Sequence, residues 1–266
     1  MHESGEQTAA CPGQTGRMTT TLITGASSGL GAEMARQLAA RGQDLALCAR
    51  RTDRLDELRA EILAAHPGRR VEVRALDVTD DDAVFAVFRD FAATFGRIDR
   101  VVVNAGVGKG APLGTGRFEA NRETAVTNFV AALAQTEAAM ELFRAQEGGH
   151  LVMVSSMSAM RGMPKSMTTY GATKAGAAHL VEGLRAEFHG KDAYRFTVLY
   201  PGWIASEMNA GAAGRNRMMV STEKGVTAMV AAIEKERASA CVPPLPWAPL
   251  SVVLRHAPMP VFRRLV

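Results

Sequence analysis

Thr19-Thr20-Thr21-Leu22-Ile23 runs without a break into Thr24-Gly25-Ala26-Ser27-Ser28-Gly29-Leu30-Gly31, and a helix-period pattern with Met34, Leu38 and Ala39 on one face begins at once. The first run is β-branched and apolar, as a buried strand requires. Glycines in the second let the chain turn sharply and approach a ligand closely, and the following helix offers unpaired N–H groups and the positive end of its dipole. Strand, glycine-rich turn and helix in this order make a cradle for a pyrophosphate, with Gly25, Ser27, Ser28, Gly29, Leu30 and Gly31 as candidate residues. Gly42 stops the helix.

The same alternation continues. A strand over Asp44–Ala49 ends in Arg50-Arg51 and leads into a helix over Thr52–Ala65. Where a second strand of this kind meets an adenosine ribose, a carboxylate suits a free 2′-hydroxyl and an arginine suits a 2′-phosphate, so Arg50 points to NADP(H) over NAD. Arg50, Arg51 and Arg54 could instead be solvated residues of the first helical turn, but cations there oppose the helix dipole. A strand over 71–76 closes on Asp77-Val78 before a helix over 80–95, and a strand over 99–103 ends in Asn104-Ala105-Gly106. Asp77 could cap that helix or line a ligand crevice at the strand's carboxyl end. Four alternations specify a doubly wound parallel sheet with right-handed crossovers and helices on both faces.

Composition narrows the function classes. With 47% hydrophobic and 22% charged residues the 266-residue chain is of ordinary globular type. Its 31 basic residues are interleaved with 27 acidic ones for a net charge of +4, which gives no basic stripe for nucleic acid. Cys11, Cys48 and Cys241 lie far apart with no metal-ligand spacing, which argues for a reducing, cytoplasmic setting without disulfides or structural zinc. No apolar run is long enough to span a bilayer. Residues 1–17 are polar and Gly-rich, without the apolar core of a signal peptide, and are expected to be a disordered extension before Met18.

Chemistry is concentrated in Val154-Ser155-Ser156-Met157 and Tyr170-Gly171-Ala172-Thr173-Lys174. On a helix over 168–188, Tyr170 and Lys174 stand at i and i+4 and share a face. A neighbouring ammonium favours phenolate over phenol and is expected to draw the tyrosine pKa down from about 10. Taken alone, this pair is better explained as two surface residues.

Together, and in order, Thr24-Gly25-x-x-x-Gly29-x-Gly31, Asp77-Val78, Asn104-Ala105-Gly106 and Tyr170-x-x-x-Lys174 make the sequence resemble the short-chain dehydrogenase/reductase family over nearly all of 18–242. The resemblance implies a Rossmann-type sheet of about seven parallel strands, a nicotinamide cofactor, a small carbonyl or alcohol substrate and a homodimer or homotetramer. It also implies a catalytic set of Asn128, Ser156, Tyr170 and Lys174. Asn128 lies on a helix expected over 117–145 and matches a residue that holds a water in a proton relay. The serine of this set usually lies 13 residues before the tyrosine; Ser156 lies 14 before and Ser158 lies 12 before, so an added loop residue favours Ser156 and leaves Ser158 as second choice. Pro201, Gly202, Ile204 and Ser206, after a strand over 194–199, match a segment near the nicotinamide and phosphates. The Met- and Gly-rich stretch 207–220, with Arg215 and Arg217, is expected to cover an apolar substrate, with Met208, Met218 and Met219 available to line its pocket.

After a helix over 222–237 and a strand over 240–242, residues 243–266 form a Pro-rich, apolar and basic tail with no acidic residue. Three dispositions stay open for it: over its own domain, on a second subunit, or at an anionic membrane surface. A binding protein that senses NADP(H) without turnover is the alternative to an enzyme.

Overall fold

The computed structural model describes residues 19–212 and 218–265. Cys11, Arg215, Arg217 and the N-terminal extension lie outside them.

The strand pattern folds into one seven-stranded sheet, all neighbours parallel, in the order β3-β2-β1-β4-β5-β6-β7. The strands are β1 (Thr20–Thr24), β2 (Asp44–Ala49), β3 (Val71–Ala75), β4 (Arg100–Val103), β5 (Gly149–Val154), β6 (Tyr194–Pro201) and β7 (Ser239–Val242). Between them run α1 (Gly29–Ala40), α2 (Thr52–Ala65), α3 (Asp81–Phe95), α4 (Phe118–Ala125), α5 (Ala131–Ala145), α6 (Met167–Glu187) and α7 (Thr222–Glu234). Strand order reverses between β1 and β4, which opens a crevice at the carboxyl ends of those strands.

Side chains alternate along each strand, so the sheet feeds two cores. On one face Leu22, Val101, Val103, Leu151 and Met153 pack with Phe88 and Phe91 of α3, Phe143 of α5 and Val181 of α6. On the other, Ile23, Leu45, Leu47, Val102 and Val152 pack with Leu38 of α1, Leu55 of α2 and Met229 of α7. Both faces of every central strand are therefore buried, and the strands read as nearly continuous apolar runs. Local signals set the helix ends. Asp80 accepts a hydrogen bond from the Ala83 N–H at the start of α3, and Gly96 closes that helix in the left-handed region.

The helix expected over 117–145 runs without a gap over 118–145, with a π-helical turn, Val126–Val130, between α4 and α5. The tail is helical, as α8 (Pro244–His256) and α9 (Met259–Leu265), and lies over its own domain. Prolines at the start of α8 need no backbone partner in a first turn, and Leu245 is the one residue there with non-helical dihedrals. Trp247, Leu254 and Phe262 turn inward onto Met157 and Met160. The outer face presents Leu245, Val252, Val253, Met259, Val261 and Leu265 to solvent, beside Arg255, Arg263 and Arg264. Among the described residues no helix is long and apolar enough to cross a membrane.

At the amino ends of the strands, opposite the crevice, lies a buried polar network that the sequence pattern did not disclose. Arg100 Nε donates to His150 Nδ1 (3.0 Å) and Arg100 Nη1 to Gln43 Oε1 (3.1 Å), which also accepts from Thr21 Oγ1 (2.7 Å). An accepting Nδ1 puts the imidazole proton on Nε2, which donates to Thr197 Oγ1 (2.8 Å). Burial, reinforced by Arg100 and Arg195, pushes His150 from 6.5 down to about 3. Between those values the unfolded chain binds a proton that the native chain refuses, so stability falls as pH falls, by about 1.4 kcal/mol per pH unit. Chemical denaturation at pH 6.5, 5.5 and 4.5 is expected to show this decline, and His150→Asn to flatten it by about that slope; an unchanged slope in the variant would remove His150 as its source.

Candidate active site

The carboxyl ends of β1, β4, β5 and β6 surround a cleft of about 400 Å³. Its first wall is the turn after β1. Gly25 has φ +64°, and a Cβ on it would lie 2.9 Å from the Ala105 Cα; a Cβ on Gly31 would lie 2.4 Å from the Gly25 carbonyl oxygen. Only glycine allows this approach at either place. Thr24 and Asn104 tie the turn to the end of β4. Thr24 Oγ1 accepts from the Asn104 and Ala105 N–H groups (3.1 and 3.2 Å), while Asn104 Nδ2 donates to the Thr24 carbonyl (2.9 Å). Gly25, Ser27, Ser28, Gly29 and Leu30 line the cleft, and Gly31 is buried beneath the turn.

Ala49, Arg50, Arg51, Leu76, Asp77, Val78 and Thr79 form the flank beyond this turn. Asp77 does not cap α3. It accepts from the Thr79 N–H and hydroxyl (3.1 and 2.9 Å), and these bonds with the Arg50 charge hold its carboxyl below its usual value against the effect of burial. Arg50 stands 4.0 Å from Asp77 and is largely exposed. Arg51, not Arg50, bends over the glycine-rich turn, donating to Ser28 Oγ (2.7 Å) and Ser27 Oγ (3.4 Å).

The deepest part of the cleft brings together residues from three elements. A Cβ on Gly106 would lie 3.0 Å from Asn128 Oδ1 and 3.3 Å from Lys174 Nζ, so this glycine lets both reach one place. Asn128 is buried, and its amide clamps the loop after β4: Oδ1 accepts from the Val107 N–H (2.8 Å) and Nδ2 donates to the Val107 carbonyl (2.9 Å). The π-helical turn that carries Asn128 is thereby locked at that loop; such turns recur at functional positions. Lys174 Nζ donates to the Val154 carbonyl (2.9 Å), and Ser155 Oγ donates to the Lys174 carbonyl (2.7 Å), so α6 is bolted to the end of β5.

The two candidate serines are now distinguished. Ser156 lines the cleft together with Tyr170, and its hydroxyl acts to lower the phenol's pKa. Ser158 is buried outside the cleft lining and donates to Ser156 Oγ from both its hydroxyl (3.0 Å) and its N–H (3.2 Å).

Electrostatics departs from the expectation for the tyrosine. Burial pushes the Tyr170 phenol up, and the Ser156 hydrogen bond only partly offsets this. Lys174 lies 6.0 Å from the phenol ring centre with its ammonium turned to Val154, and burial brings it down from 10.5 to about 8. Tyr170 is thus held as a phenol, a proton donor at neutral pH, and Lys174 keeps its charge below about 8.

On the remaining side, Pro201, Gly202, Ile204 and Ser206 follow β6, and Met208 also lines the cleft. A Cβ on Gly202 would lie 2.0 Å from the Trp247 indole, so α8 of the tail braces this segment. Met208 packs over Gly108, where a Cβ would meet its Cγ at 2.7 Å. Met218 is exposed and, like Met219, lies outside the cleft lining. Among the described residues no group of His, Cys, Asp and Glu could hold a metal ion.

The family model for short chain dehydrogenases matches residues 19–217. The chain belongs to the short chain dehydrogenase family. An uncharacterized oxidoreductase of Mycobacterium tuberculosis is 51% identical over 243 residues, covering 91% of this chain and 95% of the relative. A short-chain dehydrogenase from Sphingobium yanoikuyae, solved in complex with NADPH, superposes with a TM-score of 0.77 at 28% identity, over 89% of this chain and 93% of its own. An alcohol dehydrogenase from Thermococcus sibiricus, complexed with 5-hydroxy-NADP, gives a TM-score of 0.75 at 27% identity, over 85% and 96%.

Sequence reasoning missed Arg51 and Glu207 as parts of this cleft and Trp247 as the brace against Gly202. Arg51 carried a signal, a cation at the start of a helix with no partner in sequence; Glu207 and Trp247 carried none. The serines give the direct check. Ser156→Ala is expected to lower kcat/KM for carbonyl reduction about 100-fold, the loss of one donor to a developing oxyanion, and Ser158→Ala less than about tenfold; the opposite ranking in steady-state kinetics would give the substrate contact to Ser158.

Proposed function

We propose that this short-chain dehydrogenase is an NADP(H)-dependent oxidoreductase that interconverts an alcohol and a ketone or aldehyde, with Tyr170 as acid/base and an apolar substrate. One observation carries the reading: Ser156, Tyr170 and the buried Lys174 line one cleft together with the glycine-rich turn after β1. The residues present fit a dinucleotide. Gly25 and Gly31 leave the space a phosphate-binding turn needs, and α1 begins at Gly29 with unpaired N–H groups. Ser27, Ser28, Gly29 and Leu30 would hold the pyrophosphate, and Asp77, Val78 and Asn104 to Gly106 the adenosine and ribose flank. Arg50 and Arg51 would meet a 2′-phosphate, and Pro201, Gly202, Ile204 and Ser206 the nicotinamide end.

When bound, the cofactor supplies or accepts the hydride. The chain's own residues manage the proton and the charge. In the reducing direction the Tyr170 hydroxyl donates its proton to the substrate oxygen, while the Ser156 hydroxyl donates a hydrogen bond to the same atom. Proton loss from a phenol whose pKa is raised by burial needs help, and the fixed Lys174 charge stabilises the phenolate that remains. Both ends of the Asn128 amide are engaged by Val107, so a relay water on Asn128 would bind its backbone carbonyl. Val107 and Met208 give the substrate side an apolar wall.

A sensor that binds NADP(H) without turnover has no use for a half-buried Tyr and Ser beside a buried Lys in one cleft, and the same experiment separates the two readings. Tyr170→Phe is expected to lower kcat by about 10²- to 10⁴-fold against a panel of apolar ketones and aldehydes, with NADPH affinity within about twofold of the wild type. A wild-type rate in that variant would overturn the mechanism.

A further inference from the structure

Glu207 follows Ser206 directly and reaches away from the substrate side, toward the cofactor flank. Its Oε2 accepts from Arg51 Nη1 and Nη2, each at 3.2 Å, and its Oε1 accepts from Arg54 Nη1 at 2.5 Å. Arg51 is at the same time hydrogen-bonded to the hydroxyls of Ser28 and Ser27. The carboxylate therefore lies beside the glycine-rich turn and in front of the first turn of α2, where the helix dipole favours an anion. Arg54 and Arg51 hold its pKa below the usual carboxylate value, so it is charged at neutral pH.

We infer that Glu207 is an internal competitor for the cofactor's 2′-phosphate: it occupies Arg51, which this phosphate would meet, together with the neighbouring Arg54, and is displaced when a phosphorylated cofactor binds. The inference rests on the NADP(H) reading above and deepens it. A planar carboxylate and a phosphate are alternative bidentate partners for arginine, and both cannot use the same donors at once. Arg50, largely exposed and 4.0 Å from Asp77, stands on the same flank. A 2′-phosphate must then meet a like charge or move it, whereas NAD(H), with a hydroxyl at that place, leaves the ion pairs intact. Glu207 thus narrows the preference that Arg51 and Arg54 would otherwise confer.

Affinities for NADPH, NADH and the fragments 2′,5′-ADP and 5′-AMP, measured by calorimetry on the full chain, provide the test without any need for turnover. The ion pairs are about half exposed, and exposed pairs of this kind correspond to changes of a few-fold. Glu207→Gln is expected to tighten NADPH and 2′,5′-ADP by roughly three- to tenfold and to leave NADH and 5′-AMP unchanged. The gain should vanish in an Arg51→Ala, Arg54→Ala background, and Glu207→Ala should repeat it. If the double arginine variant loses NADPH selectively but Glu207→Gln tightens nothing, or tightens NADH equally, the phosphate site stands and the competitor role is overturned. If the arginine substitutions weaken NADPH and NADH alike, the 2′-phosphate assignment falls and the competitor role falls with it.

Discussion

The structure depends on how closely the end of β1 can be held against the end of β4. Thr24 and Asn104 hydrogen-bond each other's backbone, and Gly25 lies so near Ala105 that a single methyl group would not fit. This contact sits at the point where strand order reverses, so it fixes the width of the crevice on both sides. One side becomes a phosphate cradle, because the chain must leave the contact as a glycine-rich turn and enter α1. The other becomes the loop 104–109, which Asn128 fastens to a π-helical turn and beside which Lys174 comes within reach of Gly106.

A buried ammonium is costly unless its donors are used, and here one meets the Val154 carbonyl at the strand end. That bond ties α6 to the end of β5, and Tyr170 on this helix lines the same cleft as Ser156. The same burial that fixes Tyr170 also raises its pKa, so the phenol keeps its proton until something takes it. The site is in this sense prepared for delivery of a proton rather than for its abstraction, with Lys174 available to stabilise the resulting phenolate.

Much of this was legible before any coordinate, because it is written in local patterns. The bounds of β2 and α2 coincide with those read from the sequence, since apolar alternation and helix-start residues act over a few positions. The parallel sheet followed from alternating elements and needed no long-range information. What escaped depends on contacts between distant residues. Nothing local marks Asn128 as a π-turn residue, since its partner Val107 lies 21 positions away. Trp247 looked like one apolar residue in a Pro-rich tail until Gly202 was seen beneath it. Arg51 was passed over for Arg50 because side-chain direction at a helix start cannot be read from strand length alone. Spacing led to the expectation that Lys174 would lower the Tyr170 pKa; burial raises it instead, opposed only by Ser156.

The central claim is that this cleft aligns a nicotinamide with a carbonyl carbon while Tyr170 serves the oxygen. Isotope transfer tests it most directly. With NADPH carrying deuterium at the transferable C4 position and an apolar ketone, the account predicts deuterium on the carbinol carbon of the product and none exchanged to solvent. NADPH that binds with its deuterium never reaching any carbonyl in a broad panel would contradict it.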